Sequence, residues 1–364
     1  MSDALDIHYM QHALRLAQRG LGQTWPNPSV GAVIVKDNEV LGYGVTARSG
    51  RPHAETLALA EAGENARGAT LYVSLEPCVH QGQTPPCTKA IIDAGIKRVV
   101  AACEDPNPQV AGKGFAQLRA AGIEVLTGVC EAQAHALNEG FFSLIKRKRP
   151  FVALKLATSL DGKVATSAGE SKWITSEHAR QKGQALRGIY DAILTGIHTV
   201  LADDPELTCR LPGRQTNSPQ RVVMDGRLRI PIDAKALPAW IFTSEAGVEE
   251  HGEKMRALAE KEATVFTVPI KSGHLSITAV MDKLAQKGVT RLLVETGGTL
   301  ATAFLHEGVV DRLYWFRAPL VIGEHGAGVI RAFDMPLKEL PRYALAGIER
   351  LGDDVLEIYD LKAT

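Results

Sequence analysis

The tightest constraint on how this chain can fold is a set of ligand-type residues, far apart in sequence, that must meet in space. His53-Ala54-Glu55 opens a stretch with helical spacing, Glu76-Pro77-Cys78 closes an apolar run of strand character, and Cys87 follows Pro85-Pro86 where another helical stretch begins. One imidazole and two thiolates fill three positions of a tetrahedral zinc site, and a fourth position left open is the mark of a catalytic site. His53 and Glu55 fall within one helical turn, so a ligand and a non-ligand carboxylate can enter one pocket. The helix N-termini at His53 and Cys87 carry positive partial charge, which favours a thiolate. Taken singly, each residue has a plainer reading: the His as a cap or surface residue, each Cys as packing. A fourth protein ligand would make the site purely structural, and His80 is the candidate for that role.

Removing an exocyclic amine from a pyrimidine by hydrolysis needs three proton movements. Water must lose a proton near neutral pH, a ring nitrogen must gain one, and ammonia must leave protonated. Zinc lowers the pKa of its water, and a carboxylate can carry the protons. The His-x-Glu and Pro-Cys…Cys pattern is itself similar to the signature of zinc-dependent nucleobase deaminases. That resemblance implies one Zn2+ per chain held by His53, Cys78 and Cys87, with Glu55 catalytic. Cys103, Cys130 and Cys209 read as small buried residues.

At 364 residues the chain suits two domains of ordinary size. Strand-like runs at 30–35, 40–43, 69–75, 98–102 and 124–126 alternate with helical ones at 4–19, 54–62, 88–94 and 114–121, with a turn at Lys36-Asp37-Asn38. This alternation predicts an α/β sandwich with a mainly parallel sheet. A basic run, Lys146-Arg147-Lys148-Arg149, precedes Pro150 and reads as a solvated linker. Beyond it, strands are expected at 151–157, 192–195, 221–224, 240–243, 291–295 and 313–319. The division is therefore placed at 1–147 and 148–364.

Lys plus Arg (41) balances Asp plus Glu (41), so no long-range field gathers nucleic acid or an anionic membrane. No stretch approaches the roughly 18 apolar residues of a membrane helix, and the N-terminus lacks the apolar run of a signal peptide. Five cysteines, an odd number, argue against a disulfide framework and for a reducing cytoplasm.

Eight residues separate Cys78 from Cys87, and that insert, Val79-His80-Gln81-Gly82-Gln83-Thr84-Pro85-Pro86, resembles the bifunctional riboflavin-biosynthesis deaminase/reductase family. Further matching segments are Asn27-Pro28-Ser29-Val30-Gly31 and Asp105-Pro106-Asn107-Pro108, and the likeness runs over essentially the whole chain. It implies an N-terminal cytidine-deaminase-like α/β/α sandwich and a C-terminal dihydrofolate-reductase-like α/β domain. It also implies a small-molecule substrate, a diaminopyrimidinone bearing a ribosylamino phosphate, contacted by Asn27 and His80, and a homo-oligomer. Two positions differ from the family pattern: Thr46 stands where a His is usual, and Gln83 where a Lys or Arg is usual. Both bear on holding substrate, and Arg48 and Arg51 are the expected substitutes for its phosphate.

In the second half, Arg291-Leu-Leu-Val-Glu295-Thr-Gly297-Gly298-Thr299 reads as strand, Gly-rich turn and a helix over 299–306, with no G-x-G-x-x-G. A Gly-Gly turn is most often only a turn, although it lets backbone N–H groups approach phosphate. The segments from Lys155 to Lys163, Gly169 to Thr175 and Thr195 to Arg210 resemble the family's reductase strand, substrate loop and cofactor segment. The resemblance implies NADPH contacts at Ala157, Trp173, Thr199, Asp203 and Gly297, Gly298, Thr299, Leu300, Ala301, Thr302 and Ala303. It implies substrate contacts at Lys155, Ser171, Arg187, Leu207, Arg210 and Glu295. Arg187 and Arg210 suit phosphate, which guanidinium meets bidentately; without the resemblance each would be a surface charge. The implied function is deamination followed by NADPH-dependent reduction of the ribosyl to a ribityl chain. One alternative is a working reductase whose first domain is a binding or assembly module. The other is a nucleic-acid-editing deaminase, which a neutral chain with 5% aromatic residues disfavours.

Overall fold

Asp37 and Asn38 have φ of 52° and 66°, the left-handed pair that closes a two-residue hairpin. The strands they join, β1 (Gly31–Lys36) and β2 (Glu39–Val45), therefore run antiparallel. The computed structural model describes residues 4–79, 85–333 and 335–362, and the chain forms two compact units that meet between Arg149 and Pro150.

The first unit continues with α1 (Ala4–Gln18) ahead of the hairpin, then α2 (Ala54–Ala62), β3 (Thr70–Val73), α3 (Cys87–Asp93), β4 (Arg98–Ala101), α4 (Lys113–Ala120), β5 (Glu124–Thr127), α5 (Glu131–Leu137) and α6 (Glu139–Arg147). Its sheet has the order β2-β1-β3-β4-β5. Only β3–β4 and β4–β5 pair in parallel; β1 is antiparallel to both neighbours. The expectation of a mainly parallel sheet is corrected here. The hairpin reverses the chain, and the α2 crossover then returns β3 alongside β1 in the direction of β2.

Two helices lie against this sheet almost backbone to backbone. A methyl group at Gly31 would overlap the Ala13 carbonyl oxygen of α1, and one at Gly44 would overlap the Ala54 carbonyl oxygen of α2. Gly44 stands opposite Ala32, one residue beyond Gly31; because side chains alternate along a strand, the two helices cover opposite faces. The α2 face turned to the sheet is built of Ala54, Ala58 and Ala62, so the helix sits close and its first turn is fixed. Arg98 pairs bidentately with buried Asp6 at 2.8 and 2.9 Å, and the Tyr72 hydroxyl donates to the same carboxylate, tying α1 to β3 and β4.

The second unit comprises β6 (Phe151–Thr158), β7 (Lys163–Ala165), α7 (Glu177–Arg187), β8 (Ala192–Gly196), α8 (Ile197–Asp203), β9 (Gln220–Met224), β10 (Trp240–Thr243), α9 (Glu245–Glu250), α10 (Gly252–Glu260) and β11 (Thr264–Thr267). There follow β12 (Ile270–Lys271), β13 (His274–Leu275), α11 (Ile277–Gln286), β14 (Arg291–Glu295), α12 (Gly298–His306), β15 (Arg312–Arg317), β16 (Ala327–Gly328), β17 (Tyr343–Leu351) and β18 (Asp354–Leu361). A nine-stranded sheet of order β11-β10-β9-β8-β14-β6-β15-β18-β17 is parallel as far as β15 and antiparallel beyond. Two buried carboxylates fasten the N-terminal ends of its central strands. Asp191 accepts from Thr290 N, Thr290 Oγ1 and Arg291 N, and Asp311 accepts from Val152 N. The C-terminal ends, where ligands bind in open α/β sheets, remain for function.

Gly44→Ala is expected to cost about 1–3 kcal/mol through overpacking, lowering the thermal midpoint of the first unit in calorimetry. Gly252→Ala, whose added methyl would meet nothing within 4 Å, should leave the midpoint near the parent value.

Candidate active sites

The extended backbone of His53 makes it the N-cap of α2, and Glu55 follows in the first turn, buried to 4% exposure. Cys87 is the first residue of α3, so its backbone N–H points back along the chain and donates to Cys78 Sγ at 3.4 Å. Thr88 adds two bonds to the Cys78 carbonyl, from its backbone N–H and its hydroxyl, both at 3.2 Å. His53 Nδ1 lies 3.2 Å from Cys87 Sγ and 3.6 Å from Cys78 Sγ, and the three ligand atoms are all within 4.8 Å of one another.

The charges in this group are displaced in a consistent sense. Cys78 is held down at about 4, first by the hydrogen bond from Cys87 and then, against the opposing effect of burial, by His53 and the helix N–H. The Cys87 thiol is pushed up by donating to that sulfur and by burial. The bond to Cys78 raises His53, and burial raises the carboxyl of Glu55. One nitrogen and two sulfurs converging with one side open suits zinc, whose sites take this donor set.

A cavity of about 150 Å³ opens on His53, Glu55 and Cys78, with Asn27, Thr46, Arg51, Glu76, Asp105 and Phe141 among its lining. Asn27 reaches it by crossing Gly50 (φ 89°), where any side chain would strike its carboxamide. Thr46 is buried, and its hydroxyl accepts from Val30 N at 3.0 Å. His80 and Gln83 lie outside the described residues.

Glu76 escaped the sequence reading. Its buried carboxylate accepts four backbone N–H groups: Asp105 at 3.2 Å and Gly112 at 3.0 Å on one oxygen, Gly114 at 2.8 Å and Phe115 at 3.3 Å on the other. It thereby locks the end of the β3 segment onto the start of α4, two residues before Cys78.

In the second unit, register sets the site. Glu295 on β14 is directly opposite Lys155 on β6, and Ala157 lies opposite Phe316 on β15. Arg187, at the end of α7, grips Glu295 with Nε at 2.8 Å and Nη2 at 2.9 Å, while Nη1 donates to Thr208 O; Lys155 Nζ stands 3.9 Å from the same carboxylate. Burial pushes Glu295 up, but the charges of Arg187 and Lys155 outweigh it and hold the carboxyl at about 2. A cavity of about 400 Å³ brings together Lys155, Ala157, Trp173, Arg187, Arg210 and Glu295. It is also lined by Arg180 and Gln184, which share the α7 stripe of Arg187 at helical spacing (i, i+4, i+7) but were not singled out in the sequence.

The remaining expected residues lie elsewhere along the C-terminal edge. Gly297 caps α12 with open space around it, and Gly298 sits so close to the Gly328 carbonyl (2.7 Å from an added methyl) that only glycine fits. Thr302 donates to Gly298 O and accepts from Arg331 N, both at 2.7 Å. Leu300 lies against Gly196, which brings the glycine turn beside α8 and its Thr199. Asp203 is exposed and paired with Lys172 at 3.5 Å, Ser171 is exposed, and Leu207 is buried with φ 55°. None of Ser171, Thr199, Asp203, Leu207 or 297–303 lines the 400 Å³ cavity. α12 begins directly after the Gly297 cap, and a helix start of this kind offers unpaired backbone N–H groups to phosphate.

Residues 4–103 match the cytidine and deoxycytidylate deaminase zinc-binding region, and residues 150–356 match the RibD C-terminal domain. The chain is 44% identical over 356 residues to the riboflavin biosynthesis protein RibD of Aquifex aeolicus, covering 97% of each. It is 42% identical to that of Escherichia coli, over 96% of this chain and 98% of the other. Among solved structures, RibD of Acinetobacter baumannii superposes with a TM-score of 0.88 at 40% identity, covering 98% of this chain and 99% of that one. A diaminohydroxyphosphoribosylaminopyrimidine deaminase/5-amino-6-(5-phosphoribosylamino)uracil reductase of Thermotoga maritima gives 0.84 at 36%, with the same coverage.

Glu76→Gln keeps size and shape but turns a donor toward two backbone N–H groups. It is expected to cost about 1–3 kcal/mol and to weaken zinc retention about tenfold, measured by competition with a chelator. Unchanged retention would show that Cys78 does not depend on this clamp.

Proposed function

The chain belongs to the riboflavin-biosynthesis RibD family, and on that premise we propose that it deaminates a diaminopyrimidinone ribosyl phosphate and then reduces the ribosyl chain to ribityl. Residues 1–147 are assigned the deaminase and 148–364 the reductase. The observation that carries the first assignment is the convergence of His53, Cys78 and Cys87, with His53, Cys78 and buried Glu55 lining one cavity.

Zinc, when bound by these three residues, brings the pKa of water near neutrality. Glu55 is the proton carrier. Burial raises its carboxyl, so it can accept a proton from water and pass it to the ring nitrogen and then to the leaving amine. Asn27 and His80 are assigned to the substrate ring. Because the Thr46 hydroxyl already accepts from Val30 N, the substrate's phosphate is assigned to Arg48 and Arg51, of which Arg51 lines the cavity. An intact ligand set and proton carrier disfavour a first unit that serves only as a binding or assembly module.

NADPH supplies the hydride when bound along the C-terminal edge of the second sheet. Its contacts are assigned to Ala157, Trp173, Thr199, Asp203 and the turn at 297–303. Lys155, Ser171, Leu207 and Glu295 are assigned to the substrate, with Lys155 and Glu295 orienting it or delivering a proton. Arg210, half-exposed at the mouth, takes the phosphate; Arg187 joins it by giving up part of its pair with Glu295. All five cysteines are free, which supports a reducing cytoplasm, and no described helix is long and apolar enough to cross a membrane. We assign a homo-oligomer by family resemblance.

Without NADPH the product should stop at the deaminated ribosyl compound, and with it advance to ribityl. Glu55→Ala should slow ammonia release by about 10²–10⁴-fold and still reduce supplied intermediate; loss of both steps would refute the division of labour. Arg51→Ala and Arg48→Ala should raise the deamination KM with kcat little changed, and an unchanged KM in both removes them from phosphate binding.

A further inference from the structure

Trp173 stands at the rim of the reductase cavity with 69% of its surface exposed, where burial does little to fix a ring. The ring is nonetheless held. The guanidinium carbon of Arg180 lies 4.5 Å from its centroid, and Arg180 Nη1 donates to Thr175 O at 2.7 Å. One side chain thus grips both the ring and the backbone two residues beyond it.

The base of this grip is rigid. Arg180 lies in the first turns of α7, whose N-cap Ser176 accepts from Ala179 N. Ser176 in turn donates its backbone N–H to buried Asp354 at 2.6 Å and its hydroxyl to Leu351 O at 3.3 Å. The helix start is therefore bolted to the β17–β18 hairpin, and Arg180 reaches back from it over the loop. Among the described residues Arg180 is the cation that stands over the Trp173 ring, while Lys172, the residue before it, is turned to Asp203.

We infer that Arg180 is a positioning residue that holds the Trp173 ring for the cofactor, so that NADPH affinity depends on Arg180 through Trp173. This rests on the assignment of Trp173 as an NADPH contact. A cation over an exposed indole shifts its conformational equilibrium by a few fold, and the fork to Thr175 O adds direction that a lysine cannot supply.

The test is a double-mutant cycle on NADPH affinity, read from the fluorescence of the bound dihydronicotinamide, with thermal unfolding checked for each variant. Trp173→Ala should weaken binding, and Arg180→Ala should weaken it about two- to fivefold. The double variant should match Trp173→Ala alone, because the coupling is complete. Arg180→Lys, which keeps the charge and most of the stem, should fall between the parent and Arg180→Ala; it carries the test if the alanine variant does not fold. Arg180→Ala or Arg180→Lys binding like the parent while Trp173→Ala binds weakly would overturn the inference alone. So would an Arg180→Ala effect that persists undiminished without Trp173, which would mean that the guanidinium meets the cofactor itself. Parent-like binding by Trp173→Ala would overturn the cofactor assignment and the inference with it.

Discussion

A carboxylate satisfied by backbone N–H groups holds the first site together. Glu76 is buried, and an uncompensated charge there would cost several kcal/mol; four backbone N–H groups between Asp105 and Phe115 satisfy it instead. Those donors belong to the loop from Asp105 and the first turn of α4, so the strand end and the helix start cannot move independently. Pro77 follows and then Cys78, whose position is inherited from this anchor. The other two ligands come from helix starts, His53 ahead of α2 and Cys87 at the head of α3. The alanine face of α2 and the absence of a side chain at Gly44 bring Glu55 to the same point.

The second site uses a carboxylate in a different way. Glu295 is also buried at a strand end, but side-chain cations satisfy it, Arg187 bidentately and Lys155 at longer range. Backbone donors are fixed by the fold, whereas side-chain donors can be traded for those of a ligand. The contrast fits what each unit has to do. A metal site needs its ligands immobile, and a site that accepts a phosphorylated substrate gains from charges that can change partners as it binds. It also explains why all three guanidinium nitrogens of Arg187 are engaged while Arg210 stands half-exposed at the mouth of the cavity.

What was legible in the sequence follows the same division. His53, Glu55, Cys78 and Cys87 could be read because metal chemistry dictates their types and their places at helix starts and a strand end. Strands β10 and β14 and helix α2 could be read because their apolar runs are bounded by clear breaks. Glu76 could not, since its four partners are backbone groups that acquire meaning only once the 105–115 segment has folded over it. Arg180 lay on a visible helical stripe with Arg187, but its role depends on an exposed ring seven residues earlier. The mixed first sheet was missed because strand–helix alternation says nothing of direction, and two positive-φ residues at the hairpin decided it. The last two strands were missed for another reason. A register shift between Leu345 and Gly347 breaks the period-2 pattern of β17, and only its last residue, Leu351, is buried.

Thr46 shows why a changed residue need not mean a lost site. Its hydroxyl accepts from Val30 N and approaches Val30 O at 3.4 Å, so the position has become part of the scaffold that joins β2 to the start of β1. The zinc ligands depend on none of these bonds, because they are held from α2, α3 and the Glu76 anchor. The lining of the 150 Å³ cavity joins His53, Cys78 and Glu55 to Asn27, Thr46 and Arg51, and none of the last three is a zinc ligand or the proton carrier. On the proposed assignment, a substitution at Asn27, Thr46 or Arg51 alters how the substrate is held while leaving the zinc ligands and Glu55 in place.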